Sequence, residues 1–293
     1  MNCTCCLSTN IRSESTLTSL FLSRAAWGGP PERTNLLYCR ECGFRSYERP
    51  LHETESKRYY SDYRGRHYAR ERSRDELFYS QKNYDQDQEW MESPHRANEM
   101  VDVVANAGHD INKFRVLDYG GGNGHFIEKL RCQEKAVFDL STTPAISGIR
   151  KLSADNELHP DDWDLIVCAQ TLEHISRPDT VLNRMRNIAN QGGLIYIELP
   201  SQQWRSDLHE GSMRNLMLSL AIKSRRLHQL MDLYSTAFRV KLGFLPPLGF
   251  APMREHVNFF TLESISKLGE RLSLTTQASR INRASGIQVL FKK

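Results

Sequence analysis

Val116-Leu117-Asp118-Tyr119-Gly120-Gly121-Gly122-Asn123-Gly124 is the stretch that decides the fold. A short apolar strand, Arg115–Tyr119, runs into a turn rich in glycine, and His125–Leu130 reads as the start of a helix. Glycine has no Cβ and accepts positive φ, so such a turn lays backbone against a ligand, with the free N–H groups of a helix start beside it. A dinucleotide site asks for G-x-G-x-x-G. Counted from Gly120, the last glycine of that pattern would fall on His125, so the pattern fails. The spacing present is G-x-G-x-G, with Asp118 two residues ahead of the first glycine. It suits a ligand with an ammonium and a ribose but no phosphate. Asp118 would attract the ammonium, and Asp139, at the end of the next strand (Ala136–Leu140), would accept the ribose hydroxyls.

Outward from this turn, the pattern from Val101 onward alternates apolar strands with helices, as in an α/β domain with a parallel sheet. Ile146–Leu152 is expected as a third strand after a short connection, Asp164–Ala169 as a fourth and Leu194–Leu199 as a fifth. Pro178 suits the first turn of a helix whose Leu182, Met185, Ile188 and Ala189 share a face, and Gly192-Gly193 is expected to stop it. Leu262–Leu272 reads as a helix, with strands around Thr275–Ile281 and Gly286–Phe291.

Val116–Phe126 resembles motif I of the class I S-adenosylmethionine-dependent methyltransferases, and Asp139 matches that family's acid at the end of the second strand. The segment Asp162–Ile175 is similar to the fourth-strand segment, in its acidic entry and its Leu172-Glu173-His174 ending. Gly192-Gly193-Leu194 resembles the turn into the fifth strand. These segments stand in the family's order across about Val101–Pro200. The resemblance implies an α/β, Rossmann-like class I methyltransferase sheet and S-adenosylmethionine as cofactor. It implies a cofactor site of Asp118, Tyr119, Gly120, Gly122, Gly124, Asp139, Leu140 and Gln170. One departure is that Ser141–Ser147 leaves little room for the family's second helix, which puts Asp155 and Asn156 in doubt as adenine contacts.

Five of the seven cysteines precede residue 50. Cys3-x-x-Cys6 and Cys39-x-x-Cys42-Gly43 form two knuckles, and four thiolates so paired suit a closed structural Zn²⁺ site. Cys5 competes with Cys6 as the ligand. The segment is too short and too poor in apolar residues to fold unaided, so a metal would supply the missing stability. Cys132 and Cys168 read as packing residues. A four-cysteine unit ahead of this domain resembles the sugar C-methyltransferases and their relatives. In that light Glu255-His256-Val257-Asn258-Phe259-Phe260-Thr261 is similar to their Glu-His-x-x-aromatic-Phe-Thr/Ser segment. The resemblance implies His256 as the base that takes a proton from carbon beside a carbonyl. Glu255 would orient it or hold a substrate hydroxyl, and His174, at the end of the fourth-strand segment, is the second candidate.

The divisions expected are a zinc-binding unit (1–50), a connector (51–95) and a methyltransferase domain (96–293) with a helical insertion at about 203–250. In the insertion, Met213, Leu216, Met217, Leu220, Leu227, Leu230, Met231 and Tyr234 fall at helical spacing, which predicts a lid packed over the active site. A basic amphipathic helix on a membrane surface is the other reading of that stretch. Lys plus Arg is 39 against 35 for Asp plus Glu, a net charge of +4 that by itself gives no reason to expect nucleic acid. Tyr59–Arg74 mixes Tyr with Arg and Lys, as a solvated linker or an RNA-contacting strip would. No apolar run reaches the ~18–20 residues of a membrane span, and no basic-then-apolar leader is seen, so a cytoplasmic location is expected. The acceptor expected is a small molecule, sugar-derived on the resemblance. Its rivals are O- or N-methylation of RNA or of a lipid-linked glycan, and a non-catalytic zinc-bearing scaffold.

Overall fold

Five parallel strands, reaching one edge, make up most of a seven-stranded sheet in the computed structural model, which describes every residue except 1, 61–65, 203, 206–210 and 283–285. The elements in chain order are β1 (Ile11–Leu17), α1 (Leu20–Leu22), β2 (Arg33–Cys39), β3 (Arg45–Tyr47), α2 (Glu53–Tyr60), α3 (Arg66–Asp75), α4 (Gln81–Met91) and α5 (Pro94–Asn106). Then come β4 (Arg115–Tyr119), β5 (Glu134–Phe138), β6 (Arg150–Leu152), β7 (Trp163–Ala169), α6 (Pro178–Ile188) and β8 (Ala189–Leu199). The remainder is α7 (Ser212–Lys223), α8 (Arg225–Leu242), β9 (Asn258–Phe259), α9 (Leu262–Arg271), β10 (Thr275–Asn282) and β11 (Gly286–Lys292).

The large sheet runs β10-β11-β8-β7-β4-β5-β6, with β10 and β11 antiparallel to their neighbours. Alternate residues of its strands feed two cores. Leu117, Ile166 and Ile197 meet Leu182 and Met185 of α6 and Leu268 of α9 on one face. Val116, Val167 and Tyr196 meet Met100 and Val104 of α5 on the other. Strands covered on both faces become nearly continuous apolar runs, which is why Leu165-Ile166-Val167-Cys168 is wholly buried. Caps set the helix starts. Ser93 caps α5 ahead of Pro94, and Thr261 caps α9 through a reciprocal bond with Ser264.

Three expectations of local structure are corrected. The helix read over His125–Leu130 is a single 3₁₀ turn, His125–Ile127, because the chain from Gly124 must reach β5 at Glu134 within a few residues. The third strand shrinks to Arg150–Leu152. The glycine pair does not stop α6, which ends at Ile188; Gly192 (φ +74°) and Gly193 lie inside β8 beside the irregular pairing of Trp163 and Leu165. A Cβ on Gly193 would press on the Asn190 carbonyl oxygen at 2.9 Å, so the pair accommodates a bulge.

A second, antiparallel sheet runs β1-β2-β3-β9, so residues 258–259 complete a sheet begun in the first fifty. The buried Cys3, Cys39, Cys42 and Phe44 share one core with the large sheet, and Phe44 meets the ring of Phe260 at 5.0 Å. Between 53 and 91 lie the helices α2, α3 and α4, and part of the Tyr59–Arg74 strip lies outside the described residues.

The insertion is a helical hairpin, α7–α8, with 203 and 206–210 outside the described residues. Only part of its apolar stripe packs inward: Met217 and Leu227 lie against a core that includes Met231. Met213, Leu216, Leu220, Leu230 and Tyr234 are exposed, while Met231 is buried. The inner face also carries Arg214, His228, Asp232, Ser235 and Thr236, alongside Leu218 and Ala221. Several of these polar groups are paired there: Ser235 Oγ accepts from Phe250 N (3.0 Å), and Asp232 pairs with Arg254. Periodicity located an apolar face but not how much of it packs inward.

Candidate functional site

β4 connects outward to β5 on one side while β7 lies on the other, so the sheet's crevice opens at the carboxyl ends of β4 and β7. The glycine turn sits there. Gly120 takes φ +79°, and a Cβ on it would strike Thr171 Cγ2 at 2.5 Å. Gly122, at φ +61°, has nothing within 4 Å of where its Cβ would be, so its backbone faces open space. Its N–H donates to Asp139 Oδ2 (2.9 Å), and Ser141 N–H donates to Oδ1 (2.8 Å). The half-buried Asp139 is thereby fixed just beyond β5 with lone pairs to spare for hydroxyl donors. Asp118 lies buried beneath the turn, and its Oδ2 has no hydrogen-bond partner among the described residues. Burial, and then the nearby Asp139 carboxylate, push its pKa up to about 7. A buried carboxyl oxygen without a donor beneath an open backbone cradle fits a ligand that brings an ammonium.

Gln170 follows β7 at φ +53° and donates from Nε2 to Glu198 Oε1 (3.2 Å), which also receives Arg96 Nε (2.9 Å). Leu140 is 73% exposed next to Asp139. Gly124 abuts Ile149, and the buried Tyr119 ring packs on Phe138 (4.9 Å), so Tyr119 adjoins the crevice through its backbone. Arg96 and Glu198 were missed by sequence reasoning. The signal was an acid in the otherwise apolar Ile195–Leu199.

A second cluster forms where two distant loops are tied together. Val257 N–H donates to the Glu173 carbonyl (2.8 Å), and Asn258 Nδ2 to the Leu172 carbonyl (3.1 Å). The rings of His174 and His256 thus come to 4.6 Å, nearly perpendicular. His174 Nδ1 lies 3.0 Å from both the Glu255 carbonyl oxygen and the Tyr60 hydroxyl, and its Nε2 lies 3.9 Å from the buried Glu173 carboxylate. His256 Nδ1 lies 3.3 Å from Gln202 Oε1. Burial, with His174 adding to it, pushes the His256 pKa down to about 3, so its imidazole is neutral near pH 7. The Glu255 carboxylate receives Arg72 Nη2 at 2.8 and 2.9 Å and the Tyr59 hydroxyl at 3.4 Å. Burial alone would raise its pKa, but the Arg72 guanidinium holds it well below the usual carboxylate range. Tyr60 and Arg72 come from the connector, where a Tyr/Arg mixture gave no sign of a buried role.

A methyltransferase-domain family model matches residues 88–278, which takes in the glycine turn, both histidines and most of the large sheet. The chain belongs to that family. It is an S-adenosylmethionine-dependent methyltransferase. The Asp118 carboxyl and the Gly122 cradle suit that cofactor's methionine amino group and its sugar-bearing half. Among solved structures, the methyltransferase is similar to an S-adenosylmethionine-dependent methyltransferase from Aquifex aeolicus, at 13% identity over 68% of this chain and 98% of the other, with a TM-score of 0.42. One from Mesorhizobium loti gives 13% identity over 65% and 95%, with a TM-score of 0.40. A search among curated proteins finds no match.

The first fifty residues of the methyltransferase gather Cys3, Cys6, Cys39 and Cys42, whose four sulfurs all lie within 4.8 Å of one another. Cys3–Cys42 and Cys6–Cys39 are 3.6 and 3.5 Å apart. Four sulfurs around one Zn²⁺ at ~2.3 Å stand roughly 3.8 Å from each other, so the set fits a tetrahedral ion. Cys6 rather than Cys5 belongs to this group; Cys5 is wholly buried beside it.

The raised pKa of Asp118 yields a pH dependence of known sign. An ammonium placed beside it favours the carboxylate, so binding below about pH 7 expels a proton. The affinity for S-adenosylhomocysteine is expected to fall as pH drops below 7, by up to about tenfold per pH unit. Calorimetry in two buffers of different ionisation enthalpy counts the proton, and Asp118→Asn flattens the profile. A wild-type affinity that stays level from pH 8 to 6 removes Asp118 from the ammonium's neighbourhood.

Proposed function

We propose that the enzyme transfers methyl to carbon in a small, sugar-derived acceptor, with His256 as base. The observation that carries this reading is the pairing of the His256 and His174 rings, 4.6 Å apart, in a cluster backed by Glu173. Carbon is no nucleophile until a proton leaves it, and a neutral imidazole accepts one without first losing its own. With its Nδ1–H donating to Gln202 Oε1, His256 presents the Nε2 lone pair. The acceptor's C–H bond breaks, the proton goes to that Nε2, and the bonding electrons move onto the carbonyl oxygen. His174 and the Tyr60 hydroxyl supply donors near that oxygen, and Glu173 balances a charge on His174. Bound S-adenosylmethionine supplies an electrophilic methyl group on a sulfonium. Arg72 acts as a positioning residue, holding Glu255 so that its carbonyl aims at His174.

In the same reading the cofactor residues are Asp118, Tyr119 (through its backbone), Gly120, Gly122, Gly124, Asp139, Leu140 and Gln170. Asp139 accepts the ribose hydroxyls. Asp139→Ala is expected to weaken S-adenosylhomocysteine binding at least about tenfold, roughly 1.4 kcal/mol. An unchanged Kd by calorimetry takes Asp139 out of the site. Cys3, Cys6, Cys39 and Cys42 hold one structural Zn²⁺, within a unit of residues 1–50. Residues 51–95 connect it to the catalytic domain, 96–293.

Proton exchange tests the chemistry without the methyl donor. Keto-sugar nucleotides incubated in D₂O are expected to take up deuterium beside the ketone with wild type and not with His256→Asn. Equal uptake by both proteins overturns the base. Methyl transfer to hydroxyl compounds, with no exchange into any ketone, makes the enzyme an O-methyltransferase instead.

A further inference from the structure

The α7–α8 hairpin carries most of the large apolar side chains exposed among the described residues. Of the twelve large apolar side chains exposed among the described residues, eight lie between 213 and 248. Met213, Leu216 and Leu220 line α7, Leu230 and Tyr234 line α8, and Leu242 follows at its end. Large apolar side chains left in water at such density along one hairpin mark a surface that something covers. Cations flank it. Lys223, Arg226 and Lys241 are exposed and have no ion pair among the described residues. Across 212–248 the sequence has six Lys/Arg and a single acid, Asp232, which is buried against Arg254. The nearest acids in sequence, Asp207 and Glu210, precede the hairpin and lie outside the described residues.

We propose that this hairpin docks the enzyme on an anionic lipid surface. The leucines and methionines would enter the boundary between headgroups and acyl chains, while Lys223, Arg226 and Lys241 meet lipid phosphates. A second copy of the chain fits less well. A two-fold contact sets the same patch against itself, and here that brings cation against cation with no exposed acid to answer. No helix of the described residues is long and apolar enough to cross a membrane, so the contact is peripheral. The inference rests on the placement of α7 and α8 and does not depend on the acceptor assigned above.

Vesicle flotation of the full chain tests it. Binding is expected to phosphatidylcholine vesicles containing phosphatidylglycerol and not to phosphatidylcholine alone. It should weaken as salt rises from about 0.1 to about 0.5 M. Leu216→Ser with Leu230→Ser is expected to reduce binding at least about tenfold. Lys223→Glu with Arg226→Glu is expected to abolish it. S-adenosylhomocysteine affinity serves as the control for folding and should stay at the wild-type value in both variants. Failure of the wild-type chain to float with anionic vesicles overturns the proposal. So does equal binding to both lipid compositions, or a dimer by light scattering that the leucine variants disperse while no lipid is bound.

Discussion

His256→Asn lowers turnover by about a hundredfold or more and leaves the affinity for S-adenosylhomocysteine nearly unchanged, if His256 is the base. General-base contributions run at about 10²–10⁴-fold. Asparagine keeps a group able to meet Gln202 but has no lone pair of useful basicity. Cofactor affinity is spared because Asp118, Gly122 and Asp139 stand at the ends of β4 and β5, on other elements. The split between rate and binding is therefore the diagnostic, measured by steady-state kinetics beside calorimetry. The pH profile adds a second. The His256 pKa is pushed down to about 3, so protonation of the free base does not produce an acid limb between pH 5 and 8. A loss of only a few-fold transfers the role to His174 or points to an oxygen acceptor.

The other large effect concerns the cysteines. Purified without added metal, the protein is expected to hold one Zn²⁺ per chain by elemental analysis, and Cys39→Ser is expected to lose it and most of its stability. Structural zinc contributes an apparent ~10–16 kcal/mol to folding in small units, against a whole-domain stability of about 5–15 kcal/mol. The loss would spread beyond the knuckles. Thr261 Oγ1 donates to the Cys42 carbonyl at 2.6 Å, and Arg271 Nη2 donates to the Thr4 carbonyl at 2.6 Å, so α9 is anchored on the cysteine loops at both ends. The melting temperature reports the damage. Absence of stoichiometric zinc, or a Cys39→Ser variant that retains all of it, would falsify the four-thiolate site.

How much was legible depended on how local each signal is. Strands β4, β7 and β8 were readable because buried parallel strands must be apolar throughout, and the glycine turn because positive φ admits few other residues. The turn's short 3₁₀ continuation was not, since His125–Leu130 has an ordinary helical composition and only the distance to β5 forbids a helix. Gly192-Gly193 reads as a stop in sequence and acts as a bulge in β8, which depends on pairing with β7. The histidine cluster was half visible. His174 and His256 were named from short motifs, but Tyr60 and Arg72 reach them through packing that no local pattern encodes. The hairpin's period was right but only part of its apolar stripe packs inward, because inner polar residues such as Asp232 and Ser235 leave no periodic trace.

The pairing of β3 with β9 has a consequence for how the chain is made. Emerging from the ribosome amino end first, β3 appears at Tyr47, but its partner Asn258–Phe259 follows about 210 residues later. At about 5–20 residues per second, that is an interval of roughly 10–40 s. The large sheet waits longer still, since β11 inserts between β8 and β10 only after Gly286. Throughout that time the cysteine knuckles and a sheet edge are exposed in the nascent chain, and the His256 loop does not yet exist. Early metal capture by the first fifty residues would hold them in shape until their last strand arrives.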